Sequence, residues 1–311
     1  MPPASKHSKL PFVIVVVAFV AVFLLSSSLE GNRPPLPADY PDSDLAVQAK
    51  KLRGYAVGAE GLFADWYWIL SLQYLGNKIL DSKQGDVNID NLSRLNPRLL
   101  FPYLDNATSL DPKFTAAYSF GAVVLPAIDV SKAIELTEKG IQNNPEHWRL
   151  YQYLGYIYWT QKDYASAAKV YDEGSRIEGA PPFMRQMVAA MNAAGGSRET
   201  ARSIYTQMLN ESEDEQSKAN AQIRLFELDS MDEREAVNAQ LKELKRQTGR
   251  CPTRLGDIFP ALRRVTLPGS NDFDVNTAGE LVDPTGVAYA FDRDSCEIGL
   301  ADESKIPRSA L

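Results

Sequence analysis

Side chains able to do chemistry are few and scattered in this 311-residue chain. It holds two histidines, of which His7 lies in the N-terminal tail and only His147 in the body. A Ser-His-Asp or Cys-His triad, or a His-rich zinc site, would have to rest on that one imidazole. Asp272-x-Asp274-x-Asn276 has the spacing that opens a calcium loop, with Asp283 at its twelfth position. Thr277 stands where such a loop needs glycine, and an aspartate lacks the bidentate reach of a twelfth-position glutamate, so an ordinary polar loop is favoured. Asp65 sits inside the apolar run Phe63-Ala-Asp-Trp-Tyr-Trp. A lone acid in a buried helix is either functional, with a shifted pKa, or hydrogen-bonded structure, and the second reading is the stronger. No carboxylate pair stands out from the 40 acids, and neither a phosphate loop nor a nucleophile elbow is present. The expectation is a protein that is not an enzyme, with no catalytic residue, metal site or cofactor.

Cys251 and Cys296 are 45 residues apart, too far for a redox Cys-x-x-Cys pair. One disulfide in an oxidising compartment is the simplest reading, and two unrelated buried thiols are the other. The composition, 44% hydrophobic and 23% charged, is ordinarily globular, which excludes a collagen, a mucin-like stalk, a disordered chain and a polytopic membrane protein. The net charge is −7 and the pI about 5.1, so there is no broad electrostatic reason to bind a phosphate backbone. Nucleic acid is not expected as a partner.

Pro11 to Leu29 reads PFVIVVVAFVAVFLLSSSL without a charge. As a helix it would span roughly 28 Å, about one hydrocarbon core. Lys6 and Lys9 precede it, while Glu30 and Arg33 cancel behind it. The positive-inside rule then makes residues 1–9 a cytoplasmic tail, 10–29 a transmembrane anchor, and the body periplasmic or otherwise extracytoplasmic. A cleaved signal peptide, with Ser26 and Ser28 at the cleavage site, is the rival reading. Residues 30–44 contain Pro34, Pro35, Pro37 and Pro41 and read as an extended linker.

What must position any functional surface is a repeat. Gly121, Gly155 and Ala189 fall 34 residues apart, as do Ala133, Ala167 and Ala201, and Thr137, Tyr171 and Tyr205; Gly140 and Gly174 repeat the interval. Antiparallel helices pack closely only where facing side chains are small, and this period is that of stacked helix pairs. Trp148 to Gly179, WRLYQYLGYIYWTQKDYASAAKVYDEGSRIEG, resembles a tetratricopeptide repeat through Leu154-Gly155, Tyr158, Tyr164, Ala167, Tyr171 and Gly174. Gly179 replaces the closing proline, displaced to Pro181, and Asn192 stands where the next copy usually has an aromatic. An earlier pair is expected over Ala56–Leu110, its first helix apolar on nearly all sides and mostly buried. A charged capping pair, about Glu213–Leu228 and Asp232–Gln247, is expected at the other end. The fold class is thus mostly α: a tetratricopeptide-like solenoid of about four helix pairs over residues 45–249.

Residues 250–311 read as a small α/β cap with a helix from Thr253 to Arg263 and a hairpin of VAYAF and CEIGL around Arg293-Asp294-Ser295. Asp283-Pro-Thr-Gly286, followed by Tyr289, resembles the C-terminal hairpin of type II secretion pseudopilins. The repeat resemblance implies a protein- or peptide-binding groove lined by the first helix of each pair. Its positions fall on Tyr118, on Arg149, Gln152, Tyr156 and Trp159, and on Phe183 and Gln186, with inter-helix packing as the competing role. The resulting expectation is a membrane-anchored interaction scaffold in envelope assembly, secretion or pilus biogenesis. A membrane-tethered chaperone for unfolded exported clients is the alternative.

Overall fold

The computed structural model describes residues 10–31, 49–52, 56–82, 88, 90–268 and 272–308. The tail 1–9 and the proline-rich segment from 32 to 44 lie outside them. Two units divide after residue 45. The first contains α1 (Leu10–Gly31), whose described side chains, 14–29, are apolar or hydroxyl-bearing and exposed on every face. No helix of the described residues is long and apolar enough to cross a membrane.

The second unit begins with α2 (Ala49–Leu52) and continues as four antiparallel pairs. These are α3 (Glu60–Leu80) with α4 (Leu100–Leu110), α5 (Thr115–Val124) with α6 (Val130–Asn143), α7 (Trp148–Thr160) with α8 (Tyr164–Ser175), and α9 (Phe183–Ala194) with α10 (Arg198–Glu211). Local chemistry sets several boundaries. Asp129 and Asp163 accept the backbone N–H of Lys132 and Ser166, capping α6 and α8. Pro112 and Pro145 lie between pairs, where the chain leaves one helix and enters the next.

The 34-residue glycines are the contact points inside each pair. A Cβ on Gly155 of α7 would lie 2.7 Å from the Tyr171 ring of α8, and one on Gly174 of α8 would lie 2.6 Å from Tyr151 Cβ of α7. The preceding pair repeats this reciprocity: Gly140 faces the Tyr118 ring, and Gly121 faces Leu136. In the next pair the buried Ala189 and Tyr205 occupy the corresponding positions. This packing makes the stack a tetratricopeptide-like solenoid. Its core passes from pair to pair in overlapping clusters, around Leu104 and Tyr118, then Leu154 and Met184, then Ala201 and Leu228.

Two expectations are corrected. The capping pair is one helix, α11 (Glu215–Thr248), ending at Gly249 in the left-handed region. Its polar middle is not a turn because Arg202 of α10 pairs with Asp229 and Asp232, while Arg198 pairs with Asp232 and Glu235. The carboxylates between the two expected helices are thus answered from the neighbouring helix. Helix α3 is also less buried than expected: Ala64, Tyr67, Tyr74 and Leu75 face the core, whereas Leu62, Trp66, Ile69 and Leu80 are exposed. As the first helix of the stack it packs on α4, while its remaining faces carry these exposed side chains.

Helix α11 joins the stack to the C-terminal segment. Ala221 and Leu228 belong to the last repeat cluster, and Val237 and Leu241 to a cluster with Ile258, Leu262, Leu281, Tyr289 and Ile298. A short 3-10 turn leads into α12 (Phe259–Leu262). Strands β1 (Ala290–Asp292) and β2 (Glu297–Gly299) pair antiparallel, with Phe291 opposite Ile298. Asn238 of α11 fixes the hairpin by accepting the Ile298 N–H at 2.7 Å. Cys251 and Cys296 form a disulfide, with their Cα atoms 5.7 Å apart.

Candidate functional site

The seven residues assigned to a first-helix groove separate into core, intermediate and surface positions. Tyr118 belongs to the core, which corrects its assignment. It is wholly buried, its ring lies on Gly140, its hydroxyl donates to Thr108 O at 3.4 Å, and it accepts from Asn143 Nδ2 at 3.3 Å. Burial raises its phenol pKa above the usual value. Gln152 and Gln186 are half-buried, and the Gln186 carbonyl accepts from Tyr205 at 3.5 Å.

Arg149, Tyr156 and Phe183 are exposed, with Trp159 half-buried beside them. Tyr156 and Trp159, three residues apart on α7, meet edge to face with ring centroids 5.7 Å apart. Trp159 packs its inner side on the cluster around Leu154, which leaves Tyr156, 52% exposed, as the outer ring. At the start of the same helix Trp148 organises a second aromatic group. Its ring lies 6.2 Å from Phe183 of α9 and carries the Arg149 guanidinium at 5.0 Å. Trp148 was legible only as the first residue of the repeat; an aromatic followed by an arginine at a helix start was the available signal.

These positions supply apolar area held by few rotamers, together with a cation that can still donate hydrogen bonds. Deeper phenols serve packing: burial pushes Tyr171 and Tyr205 up to about 12, so both stay neutral donors near neutral pH.

Of the residues considered for chemistry, Asn276 and Asp283 have structural tasks. Asn276 Oδ1 accepts from the Ala278 and Glu280 backbone, and its amide donates to Glu280 Oε2. Asp283 is buried and accepts from Thr285, Val287 and Ser304, which hold its carboxyl below the ordinary range against the opposing effect of burial. Asp65 is exposed on α3, not paired within a core as its apolar neighbours suggested. Among the described residues no group of three His, Cys, Asp or Glu side chains is placed to hold a metal ion.

No protein-family model and no curated protein matches the chain. Among solved structures, a chain described under "Functional Characterization of Pseudomonas Aeruginosa pilF" is similar to it, at 19% identity and a TM-score of 0.36. That alignment covers 65% of this chain and 78% of the other. The helix pairs are seen in this chain's own packing.

Proposed function

We propose that this chain is a non-enzymatic, membrane-anchored scaffold or adaptor whose helix stack holds a protein partner on the exported side of a membrane. The observation that carries this reading is the exposed surface of α7 and α9, where Arg149, Tyr156 and Phe183 stand free of the core that fixes their neighbours. Aromatic rings with a guanidinium are the side chains that most often dominate binding energy at protein interfaces. The anchor rests on the charge-free run Pro11–Leu29 behind Lys6 and Lys9. A disulfide between Cys251 and Cys296 supports an oxidising compartment for the body. A role in envelope assembly, secretion or pilus biogenesis follows only by analogy, from the likeness of the Asp283–Tyr289 segment to pseudopilin hairpins.

The alternative is a tethered chaperone, favoured by the exposed apolar side chains of Leu62, Trp66 and Ile69 on α3, which could receive many extended clients. A crosslinking pull-down of the full-length chain from its native membranes separates the two. One stoichiometric partner, lost in Tyr156→Ala/Trp159→Ala, is the scaffold result. A broad set of exported proteins is the chaperone result, and no protein in either form overturns both.

A further inference from the structure

A groove runs along the second-helix side of the stack, with α8 and α10 as walls and α9 as floor. One part, about 720 Å³, is lined by residues including Lys162, Lys169 and Met191; the next, about 390 Å³, by residues including Arg176 and Arg185. Both parts share Asp172, Val188 and Ile204, which makes them continuous. Val188 keeps a small exposed area at the floor and Ile204 on the wall is half-buried, which gives the groove an apolar strip; Met191 is wholly buried.

The rim is basic in an otherwise acidic chain. Its two acids are used internally: Asp163 caps α8 through Ser166 N–H at 3.1 Å, and Asp172 pairs with Arg176. Lys162 and Lys169 are exposed and have no carboxylate partner among the described residues, while Arg185 donates to the neutral Gln207 Oε1 at 2.8 Å. The lining therefore holds four cations against two carboxylates, a net charge of +2 along one groove of a chain with net charge −7. Lys162 has φ 60° because it ends α7 in a left-handed cap: its N–H donates to Trp159 O at 2.8 Å and the Asp163 N–H to Tyr158 O at 3.0 Å, which turns its side chain onto the rim.

We propose that this groove docks an acidic peptide segment of a protein partner, with the carboxylates on Lys162, Lys169 and Arg185 and an apolar side chain on Val188 and Ile204. A concave, helix-walled slot suits a peptide, whereas a flat bilayer would meet only its rims. The proposal does not depend on the first-helix surface of α7 and α9.

The test uses the full-length chain in detergent and a short fluorescein-labelled peptide of Glu and Asp interspersed with Leu, followed by anisotropy. The expected result is saturable one-to-one binding that rising salt weakens and that a Lys-for-acid counterpart peptide lacks. Lys162→Gly/Lys169→Ala/Arg185→Ala weakens it about tenfold or more, while Tyr156→Ala/Trp159→Ala leaves it unchanged. Equal binding of the two peptides, or undiminished binding by a triple variant with a native circular dichroism spectrum, overturns the proposal. If the triple variant fails to fold, Lys169→Ala alone must weaken binding, and no change overturns it. Phosphatidylserine vesicles that bind through the same three cations while the peptide does not would also overturn it, in favour of a lipid-facing surface.

Discussion

Gly174 of α8 lies against Tyr151 of α7 so closely that a Cβ on the glycine would stand 2.6 Å from the tyrosine's Cβ and 2.7 Å from Met184 Cε. One small residue thus lets α8 approach both the helix before it and the helix after it. The Tyr151 backbone side cannot yield without moving α7. Met184, at the far end of a flexible side chain, can yield.

We expect Gly174→Ala to destabilise the stack by about 1–3 kcal/mol through overpacking, more than the roughly 1 kcal/mol that alanine gains in helix propensity. Gly76, inside α3, has open space where its Cβ would be. Gly76→Ala should therefore stabilise by about 0.5–1 kcal/mol. Urea denaturation of both variants checks the pair of signs.

Glu233 of α11 gives stability an unusual pH limb. Burial, against the hydrogen bond from Tyr289 at 2.5 Å and with Asp229, Asp274 and Asp283 adding to it, raises its carboxyl to about 7. The folded state therefore binds this proton more tightly than the unfolded chain. The resulting contribution is fully present below about pH 4.5 and is lost as pH rises through about 7. Relative to Glu233→Gln, the natural chain should lose on the order of 2 kcal/mol across that window. Unfolding measured for both proteins along a pH series gives the difference directly.

The Cys251–Cys296 bond closes a loop of 45 residues from the end of α11 to β2. Replacing both cysteines by serine should lower stability by about 3–4 kcal/mol on the chain-entropy account. Because Cys251 and Cys296 pack in the C-terminal cluster, hydrogen exchange should accelerate around Ile258, Leu281 and Ile298 while Leu154 and Ala167 keep their protection.

The helix pairs were legible because close packing restricts residue size: Gly155 and Gly174 must be small where Tyr171 and Tyr151 are large. The same rule, applied one step further, would have placed Tyr118 in the core, since Gly140 is its partner. Family position alone put it in a groove. The continuity of α11 was not legible, because Asp229 and Asp232 look like turn residues until Arg202 and Arg198 arrive from α10. For α3, a helix apolar on nearly all sides read as mostly buried, whereas Leu62, Trp66, Ile69 and Leu80 are exposed, because composition alone does not say which apolar faces the neighbouring helices cover. The hairpin was readable from Asp283-Pro-Thr-Gly286 and the alternation after it, although its ladder is shorter than the apolar runs suggested. The basic groove left no signal, because Lys162, Lys169 and Arg185 belong to different helices and turns.

The central claim is that the α7 surface around Tyr156 meets a partner. A photo-crosslinking amino acid placed at residue 156 of the full-length chain in native membranes tests it most directly, with the same group at Glu243 on α11, whose side chain is 44% exposed, as control. The account predicts one dominant crosslinked protein from position 156, abolished by Trp159→Ala and absent from position 243. No crosslink at 156, or the same products from both positions, would contradict it.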